Sequence, residues 1–177
     1  MRHATWAVLT LHLCFGLAST GAEPPLKVCL VAGCWEYEAD KSLASFQKHL
    51  EGLYNARCTL VKAAKRDDLP GLEALDTCDV ALFFTRRLTI DGEQLERVKK
   101  YCTSGRPVVA VRPTCAGFQK WLEFDKLILG GNYHGHIGAG PTMKATIEPK
   151  ARSHPVLRGV DSAGQVGYAV ECPRGRP

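Results

Sequence analysis

The chain has 177 residues, a formal net charge of +5 and a hydrophobic fraction of 45%, which suits one domain with a core of its own. Its basic residues are scattered and no Lys/Arg block is interleaved with aromatics, so the footprint of a nucleic-acid-binding protein is missing. The first apolar stretch, Ala7–Ala18, is too short to span a bilayer as a helix, and no stable membrane insertion is expected.

That stretch follows Arg2 and His3 and leads into Thr20-Gly21-Ala22 before Glu23-Pro24-Pro25, the layout of a secretory signal. Residues 1–22 are therefore expected to be removed, leaving a periplasmic or extracellular protein. Seven of the eight cysteines remain after such a cut, and an odd count in an oxidising compartment leaves a free thiol or an intermolecular bridge. No CxxC pair suggests a zinc ribbon. Cys29 and Cys78 fall in apolar strand patterns and read as inert buried thiols; the sequence does not give a disulfide pairing.

Leu26–Ala32 is the first strand, ending at Gly33 before the loop Cys34-Trp35-Glu36-Tyr37-Glu38. A helix follows, with Ser42 as its N-cap and Leu43, Phe46, Leu50 and Leu53 at helical spacing. Arg57–Ala63 is a second strand, Leu69, Leu72 and Leu75 suggest one or two helical turns, and Asp79–Thr85 is a third strand. Asp91 with Gln94 resembles a capping box for a helix through Leu95, Val98 and Cys102, closed by Gly105.

Residues 107–138 organise the rest. Val108–Val111 reads as a strand buried on both faces, and Pro113 stops its pairing. From Ala116 the pattern predicts an amphipathic helix with Phe118, Trp121, Leu122 and Ile128 on one face, ended by Gly130-Gly131. Arg112 and Cys115 would then sit at the carboxyl end of a strand, where open α/β sheets bind ligands.

The β-α alternation predicts a parallel sheet with helices on both faces, a flavodoxin-like or Rossmann-like three-layer sandwich. Thr142–Glu148 alternates as a further strand, and Gly164–Pro177 holds no clear core element.

Asp125, Gly130-Gly131-Asn132-Tyr133-His134-Gly135-His136 and His154-Pro155-Val156-Leu157-Arg158-Gly159-Val160 resemble the trehalose-utilisation (ThuA-like) family over residues 26–161. The resemblance implies a flavodoxin-like, mostly parallel α/β sandwich similar to class I glutamine amidotransferases. It also implies a setting in carbohydrate metabolism, with many members similar to exported bacterial proteins. It brings no defined reaction and no named cofactor. Members of the family continue through further strands and a helix after the His-Pro segment, so residues 162–177 are expected to be an irregular tail. The chain is then C-terminally short, and a truncated form is expected to be marginal unless another chain or a homo-oligomer covers the sheet.

Two candidate chemistries arise. Thr114-Cys115-Ala116-Gly117-Phe118-Gln119 resembles the amidotransferase nucleophile elbow, where a helix N-terminus would lower a thiol's pKa. His154 would be its base, but Val156 stands where that family has a glutamate, and Pro113 separates Cys115 from the strand. His134 and His136 could face one ligand from an extended loop; no metal site is assigned. Arg112 could meet a substrate or pair with Glu36 or Glu38, and Trp35 with Tyr37 could stack on a sugar or pack internally. The expectation is a domain that acts on or recognises a carbohydrate-derived small molecule. A catalytically silent binding or scaffolding module of the same fold is the alternative.

Overall fold

The computed structural model describes residues 23–135 and 147–159. His136, the signal over residues 1–22, all but the last two residues of the strand expected at Thr142–Glu148, and the tail from residue 162 lie outside the described residues.

Four strands form one parallel sheet: β1 (Leu26–Gly33), β2 (Ala56–Lys62), β3 (Val80–Thr85) and β4 (Val108–Ala110), in the order β2-β1-β3-β4. Between them lie the helices α1 (Ala39–Leu53), α2 (Ala74–Thr77) and α3 (Gly92–Thr103). The alternation of β1 divides the core. Val28, Leu30 and Ala32 turn to one face with Leu82, Phe84, and Ala39 and Leu43 of α1. Cys29 and Val31 turn to the other, with Phe83, Leu75, and Leu95 and Val98 of α3. The fold is therefore α/β, with helices on both faces of a parallel sheet, as the alternation predicts.

Several local expectations need correction. Helix α1 begins at Ala39, because Glu38 takes a left-handed conformation (φ 47°) and the amide of Ala39 donates to Cys34 O at 3.0 Å. Ser42 is thus inside the helix, its amide donating to Glu38 O. Of the predicted apolar face only Leu43 is buried, while Leu53 is 66% exposed.

The capping box at α3 is half formed. Asp91 accepts from the amide of Gly92 at 2.8 Å. Gln94 does not reach back to it; its side-chain oxygen accepts from Leu69 N, and its NH2 donates to Asp68, both at 2.9 Å. The helix is tied to the loop after β2 instead. Gly105 closes α3 with φ 78°, as glycine does at a helix end.

Strand β4 is not buried on both faces: Val109 is 48% exposed, since no described residue covers that side. The amphipathic helix after Ala116 does not form. A 3-10 turn covers Thr114–Ala116, and the next residues are captured by Leu88, whose amide donates to Gly117 O and whose carbonyl accepts from Gln119 N. A π-helical turn over Asp125–Leu129 follows, ended by left-handed Gly130. Phe118, Trp121 and Phe124, each three residues apart, still reach the core, with Phe118 and Phe124 edge-to-face on Phe83. Leu122 is turned out, 69% exposed.

Candidate functional site at the carboxyl edge of the sheet

All four strands end at one edge, and the loops that leave them are bonded together. The amide of Arg86, directly after β3, donates to Gly33 O at the end of β1 at 2.9 Å. The amide of Arg87 donates to Ala116 O, beyond β4, at 2.8 Å. Arg66, in the loop after β2, donates from Nη1 to Arg87 O at 3.4 Å.

The loop after β1 carries two half-exposed rings, Trp35 and Tyr37, about equally open to solvent. Each has a guanidinium over it: Arg66 Cζ lies 6.0 Å from the Trp35 ring centre, and Arg86 Cζ 5.9 Å from that of Tyr37. Cation–π attraction favours this placement. Arg86 also forms an ion pair with Glu36, and Glu38 pairs with Lys41. Arg112 therefore has neither of the two partners expected for it; it is exposed and forms no ion pair among the described residues.

Under this rim sits a polar layer. Thr114 Oγ1 accepts from Thr85 N at 3.2 Å and lies within hydrogen-bond reach of Phe83 O and Val111 O as a donor. Thr85 Oγ1 is buried with no partner. It lies against Gly117, where a Cβ would stand 2.6 Å from that oxygen.

Cys115 is partly buried, and its Sγ faces Pro113 O at 3.7 Å. Burial pushes its pKa above the ordinary thiol value, the nearby Asp125 pushes it further, and Arg112 only partly opposes them. The expected helix N-terminus is replaced by a single 3-10 turn, which is too short to supply the aligned dipoles of a helix. The thiol is thus held protonated rather than activated.

Asp125 is buried, and its Oδ2 accepts from Tyr133 N at 2.8 Å. The residue after Tyr133, His134, is exposed. His154 is exposed too, with Nδ1 accepting from Val156 N at 3.2 Å across its own turn. No hydrogen bond joins Cys115 to an imidazole among the described residues. No group of three His, Cys, Asp or Glu side chains among them is arranged to hold a metal ion, and none of their helices is long and apolar enough to cross a membrane.

The structure thus joins Trp35 to Arg66, and Cys115 to Asp125 and Arg112. Sequence reasoning missed Arg66, Arg86, Arg87 and Thr85. Arg86 and Arg87 directly follow the apolar run of β3, the same position relative to a strand that singled out Arg112.

Compared with known proteins, the chain matches no family model, no curated protein and no solved structure.

Proposed function

We propose that the chain is an exported domain of the ThuA-like, flavodoxin-like type that recognises a carbohydrate-derived ligand at the carboxyl edge of its sheet, without covalent catalysis by Cys115. The observation that carries this reading is the pair of half-exposed rings, Trp35 and Tyr37, on the loop after β1. An exposed aromatic face offers apolar surface to the C–H face of a sugar, while neighbouring polar groups meet its hydroxyls. The strand order β2-β1-β3-β4 supports the flavodoxin-like assignment, whose ligands lie beyond the carboxyl ends of the strands. The protonated thiol of Cys115 favours recognition over nucleophilic chemistry.

Titration with glucose and trehalose, followed by calorimetry, tests it. Saturable binding that is lost in Trp35→Ala is expected; heat-silent titrations with these two sugars and with their charged derivatives would remove the reading. The proposal of export predicts cleavage after Ala22, and an intact mass retaining Met1 in the secreted fraction would count against it.

A further inference from the structure

We infer that the ligand of this edge carries a negative charge: the arginines after β2, β3 and β4 form a site for an anionic sugar, one bearing a carboxylate, sulfate or phosphate. This rests on reading the edge as a carbohydrate site and adds the chemical class of the sugar.

The argument begins with an inventory of charge. Arg66, Arg86, Arg87 and Arg112 follow β2, β3 and β4, with β1 between the first two of these strands, and the hydrogen bonds described above draw their loops together. The carboxylates nearby are mostly engaged: Glu36 by Arg86, Glu38 by Lys41, Asp68 by Gln94 and Asp125 by the Tyr133 amide. Asp67 is left beside Arg66. Against it stand Arg66, Arg87 and Arg112, all exposed and without an ion pair among the described residues. Asp68 is part-buried and Asp125 buried, so the exposed groups named here that lack an ion pair among the described residues are three guanidiniums and one carboxylate.

Geometry adds to the count. Stacking a guanidinium on a ring covers its face and leaves its N–H edge free, in the fork that matches a carboxylate, sulfate or phosphate. Arg66 is placed this way over Trp35, with only its Nη1 engaged, on Arg87 O; Arg86, over Tyr37, has its guanidinium on Glu36. An apolar ring face and an oxyanion fork side by side are what a charged sugar presents surfaces to. Arg87 is also held at φ 52°, a left-handed conformation unfavourable for a long side chain. Strain of this kind concentrates at ligand sites.

Calorimetric titration of the full chain with glucose, glucuronate, glucose 6-sulfate, glucose 6-phosphate and inorganic phosphate tests the inference. At least one charged sugar should bind about tenfold tighter than glucose at low salt, as charge-assisted bonds are the stronger ones. The tightest of the three assigns the anionic group. The advantage should shrink as salt rises to about 0.5 M, because exposed charges are screened. Arg112→Gln should reduce it, as should Arg87→Gly, which suits the left-handed backbone and should leave the urea midpoint unlowered. Charged sugars binding no tighter than glucose would overturn the anionic inference and leave the carbohydrate reading standing. Inorganic phosphate binding as tightly as glucose 6-phosphate would overturn the sugar component. No binding by any of the sugars would overturn both.

Discussion

The carboxylate of Asp125 fills the space that a side chain at residue 131 would need, for a Cβ on Gly131 would stand 2.6 Å from its Cγ. The same residue receives the Gly131 amide on its main-chain oxygen at 2.9 Å and the Tyr133 amide on its side chain. The backbone leading to His134 is therefore hung from one buried aspartate, by its main chain and its side chain. Gly131→Ala must push the carboxylate off the Tyr133 amide, and a loss of about 1–3 kcal/mol is expected from this overpacking. Urea denaturation of the variant against the parent measures it.

Cys115 should alkylate more slowly than an ordinary thiol at neutral pH, because burial and then Asp125 raise its pKa and leave less thiolate. Asp125→Asn keeps an oxygen for the Tyr133 amide but removes the charge. Its Cys115 should react faster with iodoacetamide at the same pH. Peptide mass mapping over time distinguishes this site from the other cysteines, and equal rates in the two proteins would show that Asp125 does not act on the thiol.

Arg106 closes the opposite end of the sheet. It donates to Leu75 O at 2.7 Å and to Cys78 O, and its Cζ stands 4.4 Å from the Tyr101 ring centre. Lysine keeps the charge but has neither the two-pronged fork nor the planar face. Arg106→Lys should cost about 1–3 kcal/mol, the range for leaving a partly buried carbonyl without its donor. Thermal and urea midpoints should fall together; an unchanged midpoint would show the clamp to be without weight.

Stability should fall on the alkaline side. Burial raises both Cys29 and Cys102 to about 12, from an ordinary 9.0, and the neighbouring Cys78 adds to the shift at Cys29. Between these values the unfolded thiols have lost their protons and the folded ones have not, so unfolding gains as pH rises. The contribution is whole below about pH 9 and declines by about 1.4 kcal/mol per pH unit for each thiol above it. Urea melts from pH 8 upward should show this slope, less steep in Cys102→Ala.

The first and third strands were legible because each is a short apolar run between breakers, Leu26–Gly33 and Val80–Thr85, and the second because Thr59 and Val61 supply β-branched residues. The segment after Ala116 was not. Phe118, Trp121 and Phe124 fit a helical stripe by spacing, but the choice was made by Leu88, which takes the backbone of Gly117 and Gln119 into strand-like bonds from 29 residues away in sequence at Gly117. Local pattern carries no record of such a partner. Gln94 was misread for the same reason: its competing partners, Asp68 and Leu69, belong to another loop. At the candidate site the rule that placed Arg112 beyond a strand applied equally to Arg86 and Arg87. The sequence could not show that Glu36 would pair with Arg86 rather than with Arg112.

Gln94 also gives the edge a remote control. Its amide fastens the first turn of α3 to the loop containing Arg66, and Arg66 in turn leans over Trp35 and on the carbonyl of Arg87. The rim is therefore braced from the far side of a helix that takes no part in it. In amide hydrogen exchange, the amide of Leu69 and the start of α3 should open as one cooperative unit. Gln94→Ala should uncouple them and loosen the guanidinium over Trp35 without altering any group of the proposed site.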